Sequence, residues 1–137
     1  MAGTVHAAQY FKMKVPDKPG VCARTLQALR DEGVNLLAFS GFPKGRGAQL
    51  DFVVTDAASF KAAAKRAKVK VKGPKTCFVA QGDDRPGAVA DVIGRLADAK
   101  INITALDAVC GGEGRFGALF WVRPGDVKKA SKILGAV

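Results

Sequence analysis

The sequence predicts an α+β protein made of two tandem copies of one unit. Shifting the chain by 67 residues brings its halves into register without a gap, and an internal repeat of this kind determines the architecture. Both halves also show strand-like and helix-like periodicity in the same order. The matched residues are Asp17 with Asp84, Pro19 with Pro86, Gly20 with Gly87, Val34-Asn35-Leu36 with Ile101-Asn102-Ile103, and Phe52-Val53-Val54 with Leu119-Phe120-Trp121.

The first half begins with a strand followed by a helix. Alternation of apolar and polar residues from Gln9 to Val15 predicts a half-buried strand. Pro19-Gly20 then opens a helix, and its apolar residues Cys22, Leu26 and Leu29 are expected on one face. The other predicted elements are a strand from Asn35 to Phe42, a hairpin turn at PKGRG, a strand from Gln49 to Thr55, a helix carrying Phe60, Ala63, Ala64 and Ala67, and an edge strand from Val69 to Lys72.

The second half repeats this order without the last strand. Its predicted elements are a strand from Lys75 to Gln81, a helix from Ala88 to Ala99, strands from Ile101 to Val109 and from Phe116 to Val122, and a helix carrying Val127, Ala130, Ser131 and Leu134. The resulting order, βαββαβ and then βαββα, predicts two ferredoxin-like units, residues 1–73 and 74–137. Because an open sheet edge invites unwanted pairing, we expect either Thr4 to Ala8 or another chain to cover it.

Composition restricts the classes of function. The formal net charge of +10 favours an anionic partner, whether nucleic acid, a small ligand or an acidic protein. Seven of the fifteen residues from Lys61 to Lys75 are basic and none is acidic. A solvated face is the simpler interpretation of such a run, and docking to an acidic enzyme is the alternative.

Catalysis and metal binding are not expected. His6 is the only histidine, so the chain has no Ser/His or Cys/His cluster. Cys22, Cys77 and Cys110 lie far apart and form no CxxC, which predicts reduced thiols in a cytoplasmic protein. The chain has no apolar run long enough to span a membrane, and no cofactor is expected.

The repeated features together resemble the ACT domain. They are a strand running into Asp-x-Pro-Gly, a helix that ends before (Val/Ile)-Asn-(Leu/Ile), and a hairpin, all present twice in register. The chain resembles two ACT domains in tandem over residues 9 to 135. The resemblance implies a regulatory protein that binds a small ligand, usually an amino acid, at the interface between paired domains. Because residues 9 to 135 leave no room for an enzyme domain, we expect either a free-standing regulator or a separate regulatory subunit, and in either case a homodimer.

Carried over to this sequence, the resemblance implies a ligand site in the loop before the first helix of each unit and at the start of the following strand. The implied residues are Asp17, Lys18, Pro19, Gly20 and Asn35 in the first unit, and Asp84, Arg85, Pro86, Gly87 and Asn102 in the second. Pro16 has no backbone N–H to offer a ligand, so two equal sites are not expected and the second loop is favoured.

The chemistry of these residues fits an amino acid. A helix N-terminus presents free N–H groups and a partial positive charge, which favour a carboxylate. Asp84 is suited to accept from the ligand's ammonium group, and Asn102 both donates and accepts. The structural alternative is that each Asp is an ordinary helix cap and each Pro-Gly an ordinary turn.

Two other motifs suggest other functions. Gly112 to Gly117 spells GxGxxG, but it joins two predicted strands, so a hairpin is favoured over a dinucleotide site. RFGALFW, residues 115 to 121, faintly resembles the aromatic strand with which RNA-recognition motifs stack bases. RNA binding is therefore the alternative function, although packing of Phe116, Phe120 and Trp121 in the core is favoured.

Overall fold

The computed structural model describes residues 3–137. Its elements are β1 (Thr4–Pro16), α1 (Val21–Asp31), β2 (Ala38–Lys44), β3 (Gly47–Val54), α2 (Ala57–Arg66), β4 (Lys72–Asp83), α3 (Ala88–Asp98), β5 (Ile103–Gly112), β6 (Arg115–Val122), a 3-10 turn (Pro124–Asp126) and α4 (Val127–Leu134). The chain divides into two compact units. The first unit is Gln9–Lys75, and the second consists of Thr76–Val137 with the residues up to Ala8. Strands β1 and β4 therefore each contribute to both units.

The first unit is an antiparallel sheet with two helices on one face. Strand β3 lies between β1 and β2, and the register sets Phe52 opposite both Phe11 and Phe39. The Phe60 ring of α2 lies 4.9 Å from that of Phe11 and 5.7 Å from that of Phe52. Leu29 of α1 is buried in the same cluster. These contacts confirm the apolar faces predicted for the first strand and the second helix.

The buried face of α1 includes Leu29, with Leu26 packed against the same cluster as predicted, but it differs from the expected face at Cys22. Cys22, predicted on the apolar face, is exposed, whereas Thr25 and Leu29 are buried. The stripe that meets the sheet runs through Val21, Thr25 and Leu29, which are four residues apart and so lie on one face of the helix. The Thr25 hydroxyl donates to the Val21 carbonyl at 3.0 Å, which satisfies its polar group inside the core.

The edge strand expected at residues 69–72 does not form there. Val69 is a buried loop residue whose N–H donates to the Ala64 carbonyl at 2.8 Å, and the strand begins only at Lys72. A Cβ placed on Gly73 would lie 2.8 Å from the Tyr10 carbonyl oxygen. The first residues of β4 therefore lie against β1, and glycine permits this close approach.

The second unit repeats the architecture. Strand β6 lies between β4 and β5, and Phe78 stacks on Phe120 with ring centroids 5.5 Å apart. Leu96 of α3 and Ala130 of α4 are fully buried against this sheet. The expected α+β fold with two ferredoxin-like units is confirmed, and GxGxxG forms the predicted hairpin between β5 and β6.

The N-terminal residues complete the second unit. Val5 is buried in its core, and a Cβ on Gly3 would lie 2.4 Å from the Gln81 carbonyl oxygen of β4. The Ala7 N–H donates to the Val137 carbonyl at 3.0 Å. We expected either residues 4–8 or another chain to cover the open edge of the second unit, and in the structure residues 4–8 cover it. This N-terminal part of β1, here called the N-terminal strand, therefore groups with the second unit, whereas the predicted division between residues 73 and 74 placed it in the first.

The repeat is not free of gaps, contrary to the sequence alignment. Phe11 and Phe78 are 67 residues apart, but the residues opposite them, Phe52 and Phe120, are 68 apart. Phe120, not Leu119, is therefore the counterpart of Phe52. A one-residue slip reverses which face of a strand each side chain occupies, so the expected matching of residues 52–54 with 119–121 is wrong.

A bulge next to the second hairpin accounts for the slip. Strand β2 pairs with β3 in one uninterrupted register, whereas β5 shifts register between Cys110 and Gly112. Gly111 is the extra residue, because the pairs on either side of it correspond to consecutive pairs of the first unit. A β-bulge bends and twists its strand locally, and this one lies next to the loop that leads into α3.

Candidate functional site

The second loop, Asp84–Gly87, joins β4 to α3 and is exposed throughout. Gly87 is the N-cap residue of α3 and has φ 80°, a left-handed conformation that glycine adopts without strain. No side chain of the described residues caps this helix. The alternative that Asp84 is an ordinary cap is therefore wrong, whereas Pro86-Gly87 does form an ordinary turn, closed by the hydrogen bond from the Ala88 N–H to the Arg85 carbonyl.

An uncapped helix start leaves backbone donors for a ligand. The Asp91 N–H makes the first helical bond, to the Gly87 carbonyl at 2.9 Å, and the Ala88 N–H donates to the Arg85 carbonyl at 3.2 Å. The N–H groups of the two residues between them, Val89 and Ala90, point out of the helix start, where the partial positive charge of the helix is concentrated. An anion placed beside Gly87 would meet both N–H groups.

The second loop is fixed to the β5–β6 hairpin. The Asp84 N–H donates to the Gly114 carbonyl at 2.8 Å. The Cys110 thiol donates to the Asp84 carboxylate, and this hydrogen bond raises the pKa of the thiol, with smaller contributions from burial and from the carboxylate's charge. Because Cys110 directly precedes the Gly111 bulge, the extra residue of the repeat lies beside the loop.

Two exposed ion pairs orient the charged residues around the loop. Arg85 pairs with Asp91 in the first turn of α3, and its other terminal nitrogen donates to the Pro86 carbonyl at 3.2 Å. Arg115 pairs with Asp83 at 2.9 Å. Exposed pairs of this kind contribute little to stability, so a ligand would displace them at little cost.

The first loop, Asp17–Gly20, has the same backbone conformation at its last glycine, but a ligand would have less access to the helix start. Gly20 is the N-cap of α1 with φ 86°, and no side chain in the part of the chain that the structure describes caps this helix. A Cβ on Gly20 would lie 2.8 Å from an Arg24 guanidinium nitrogen, whereas one on Gly87 would meet no described atom within 4 Å. Arg24 therefore covers the start of α1, while the start of α3 is open.

The two asparagines do not lie near the loops of their own units. Cys110 contacts Asp84 at one end of β5, and Asn102 precedes the other end, eight residues earlier. At about 3.3 Å per residue, this separates Asn102 from the loop by roughly 26 Å. The same holds in the first unit, where Pro16 pairs with Gly47 and the strand after Asn35 pairs at Val53.

Comparison with known families identifies the fold. The family model described as the ACT domain matches residues 10–70 and 77–137, which is nearly the whole chain. The chain belongs to the ACT domain family. The tandem arrangement that the sequence predicts is thereby confirmed, with one ACT domain in each unit.

Solved structures with this fold include a regulatory subunit of an enzyme. Protein BT0572 from Bacteroides thetaiotaomicron matches with a TM-score of 0.74 and 19% identity over 97% of this chain and 88% of its own. The ligand-free regulatory subunit of aspartate kinase from Thermus thermophilus matches with a TM-score of 0.64 and 18% identity over 98% and 95%. At these identities the likeness shows the fold alone. A search of curated proteins finds no match.

A shallow cavity of about 150 Å³ lies in the second ACT domain, between α3 and the N-terminal strand. Its charged lining consists of Asp83, Arg85, Asp91 and Arg95. Arg85 pairs with Asp91, Asp83 pairs with Arg115, and Arg95 donates to the Ile133 carbonyl at 2.6 Å. Since the two carboxylates and two guanidinium groups of this lining balance in charge, the cavity favours an anion less than the open helix start does.

The first ACT domain contains a buried polar group that the sequence analysis missed. Asp51 of β3 is only 4% exposed and accepts a hydrogen bond from Gln49 at 3.0 Å, while Lys44 donates to Gln49 at 3.2 Å. Burial raises the pKa of Asp51, against the lowering effects of the Gln49 hydrogen bond, Lys12 and Lys44. Alternation within AQLDFVV sets Asp51 on the face opposite Leu50 and Phe52, which predicts exposure, so the sequence carries no signal of its burial.

The aromatic residues of β6 do not form a base-stacking surface. Phe116 and Phe120 are buried in the core of the second ACT domain, and Trp121 is 9% exposed. Stacking on single-stranded bases requires exposed rings, so the RNA alternative loses the feature that suggested it. Among the described residues there is no cluster of three potential metal ligands and no helix long and apolar enough to cross a bilayer.

Proposed function

We propose that this protein is a cytoplasmic, non-catalytic regulator that binds a small amino acid or a similar anion at the second loop. Membership of the ACT domain family supports a regulatory role. The observation that carries the proposal is the start of α3, where Gly87 opens the helix in a left-handed conformation and no side chain of residues 3–137 caps it. The exposed thiols of Cys22 and Cys110 agree with a reducing compartment.

The loop supplies complementary groups for both ends of an amino acid. The ligand's carboxylate would accept from the free N–H groups at the start of α3. Asp84, held beside Cys110, would accept from the ammonium group. Arg85 is exposed and is able to exchange its pairing with Asp91 for the ligand's carboxylate.

A second copy of the chain would complete the site. Strand β5 is an edge strand whose residues after Ile103 are all exposed, including Leu106 at 40% and Val109 at 69%. Antiparallel pairing of two β5 strands about Leu106 and Asp107 would set Asn102 of one copy opposite Gly111 of the other. That position lies beside Asp84, so a homodimer would bring together residues that one copy keeps apart.

The second loop is favoured over the first for a physical reason besides Pro16. Arg24 lies over Gly20, and a ligand at the start of α1 would have to displace it. The corresponding residue of the second ACT domain is Asp91, which draws Arg85 to the side of the helix start. Asp17, Lys18, Pro19, Gly20 and Asn35 are therefore proposed as the lesser site.

Regulation follows if the ligand binds one assembly state more tightly than another. A ligand held between two copies has its full set of contacts only in the dimer, so it shifts the population toward that state. The surface that the protein presents to a partner would then depend on ligand concentration.

A thermal-shift screen of amino acids tests the proposal. A ligand at about 100 times its Kd should stabilise the protein by roughly 2.7 kcal/mol. Asp84→Ala and Asn102→Ala should each reduce the shift, whereas Asp17→Ala, the matched change in the first loop, should leave it intact. Gly87→Val is a poorer test, because a β-branched residue is strained at φ 80°.

Sedimentation of the same proteins tests the dimer. The double variant Leu106→Lys, Val109→Lys should prevent pairing of β5. It should therefore lower both the molecular mass measured in solution and the thermal shift that the ligand causes. If no amino acid or related anion stabilises the wild-type protein, the proposed function is wrong. If a ligand binds but Asp84→Ala binds it equally well, the site lies elsewhere.

A further inference from the structure

The positive charge of the protein is concentrated in the first ACT domain. Residues 9–75 carry fourteen Lys and Arg against five Asp and Glu, a formal charge of +9. The rest of the chain carries eight against seven, a formal charge of +1. A repeat in which one copy holds nearly all the charge points to a function for that copy which the ligand site in the other does not explain.

Half of the first domain's basic residues lie in one segment. The segment comprises α2 and the turn and strand start that follow it, and its basic residues are all exposed. They are Lys61, Lys65, Arg66, Lys68, Lys70, Lys72 and Lys75. Arg66 pairs with Glu32 at 3.4 Å, and within the described residues none of the six lysines forms a salt bridge. We call these six lysines the lysine surface.

The fold turns the lysine surface outward. On α2, Phe60, Ala63 and Ala64 face the core, which leaves Lys61 and Lys65, one helical turn apart, on the outer side. Beyond the helix, Val69 is buried and Val71 is half-buried, so Lys70 and Lys72 alternate with them and point away. The six ammonium groups repel one another, and an anionic partner would relieve this repulsion.

We propose that the lysine surface docks an acidic segment of a partner protein. Ala58 and Ala62 are exposed on α2 beside Lys61 and Lys65, so a partner's backbone is able to approach this part of the helix closely. Lysines placed around small residues suit a partner helix or strand that carries carboxylates. Such a segment would make apolar contacts at the centre of the interface and ion pairs at its rim.

The composition of this surface favours a protein over a nucleic acid. Phe60 is buried, and no other aromatic residue lies in α2 or the segment up to Lys75, so stacking on bases is not available. The one arginine, the side chain best suited to bidentate phosphate contacts, is already paired with Glu32. This inference does not require the ligand site, since the lysine surface lies wholly in the first ACT domain.

Binding to a fluorescein-labelled polyglutamate chain, followed by anisotropy, tests the inference. The triple variant Lys61→Glu, Lys65→Glu, Lys68→Glu should weaken binding about tenfold or more, because three attractive pairs become repulsive. The control variant carries the same charge change on exposed lysines of the second domain, Lys100→Glu, Lys128→Glu, Lys132→Glu. It should retain most of the affinity. Thermal unfolding should confirm that both variants are folded.

Three results would overturn the proposal. Equal weakening in both variants would show that net charge alone attracts the probe. Tighter binding of a DNA duplex or an RNA strand than of polyglutamate at the same ionic strength would favour a nucleic acid. Absence of polyglutamate binding by the wild-type protein at low salt would remove the docking function.

Discussion

Cys110 donates its thiol hydrogen to the Asp84 carboxylate, and this contact raises the pKa of the thiol. It joins the bulged end of β5 to the loop that opens α3. Both residues are exposed, so the thiol is accessible to reagents. Because only the thiolate is nucleophilic, the reactivity of Cys110 reports on the position of Asp84.

Removing the carboxylate should therefore activate Cys110. In Asp84→Ala the thiol loses its hydrogen-bond acceptor and the adjacent negative charge, so its pKa falls and alkylation at mildly alkaline pH becomes faster. Peptide mapping by mass spectrometry after a short exposure to iodoacetamide measures the rate at Cys110. Asp17→Ala is the control, and it should leave that rate unchanged. Equal rates in wild type and Asp84→Ala would show that the hydrogen bond does not form in solution.

The N-terminal strand should contribute to the stability of the second ACT domain. Val5 is 6% exposed and Val137, whose N–H donates to the Val5 carbonyl, is 80% exposed. Val5→Ala should cost roughly 2 kcal/mol, since it removes buried methyl groups and leaves a cavity. Val137→Ala should change stability by less than about 0.5 kcal/mol. Urea unfolding measures both, and a neutral Val5→Ala would mean that the strand is not packed on the core.

The sequence predicted the architecture because the repeat constrains it twice. Each strand or helix pattern in one half has an independent counterpart in the other half, so a wrongly predicted element would not match its counterpart. The one-residue shift at Gly111 causes no such mismatch, because the residues that it moves into register are all apolar. Leu119 and Phe120 are both apolar counterparts for Phe52, and although Phe120 is the identical residue, the pairing of Phe120 with Phe78 is what decides between them.

The candidate site was less accessible from the sequence. The Asp-x-Pro-Gly motif identifies both loops as candidates. Whether a ligand has access to the helix start, however, depends on the side chain one helical turn later. Arg24 and Asp91 occupy matched positions with opposite charge, and that difference decides which loop is open. The distance of Asn102 from its own loop follows from strand direction, which a motif does not encode. Neither loop aspartate caps its helix, because a left-handed glycine occupies the cap position.

Stability should depend on pH through Asp51. Its pKa is raised in the folded state by burial, so its contribution is fully present below the ordinary carboxyl pKa and is lost as the pH rises through the raised value. Asp51→Asn keeps an acceptor for Gln49 and removes the buried charge, so it should stabilise the protein progressively as the pH rises to neutral. Thermal unfolding across acidic to neutral pH measures this difference.

Asp56 provides a control of opposite sign. The pKa of its carboxylate is lowered, chiefly by the hydrogen bond from the Ser59 backbone N–H at the start of α2. Its contribution is present above the ordinary carboxyl pKa and is lost as the pH falls through the lowered value. Asp56→Asn should therefore destabilise the protein at neutral pH, with an effect that shrinks on acidification. Parallel pH profiles for the two variants would contradict both assignments.

Deleting Gly111 should leave the fold intact and change the loop. The pairs Cys110–Phe116 and Gly112–Arg115 lie on either side of the bulge, so without Gly111 they would become consecutive, as the corresponding pairs of β2 and β3 are. Deleting Ala108 instead would reverse the faces of one end of β5 and should be more destabilising by urea unfolding. Because the bulge adjoins Cys110, the Gly111 deletion should also alter the alkylation rate of that thiol. A Gly111 deletion as destabilising as that of Ala108 would mean that the bulge supports the fold instead of positioning the loop.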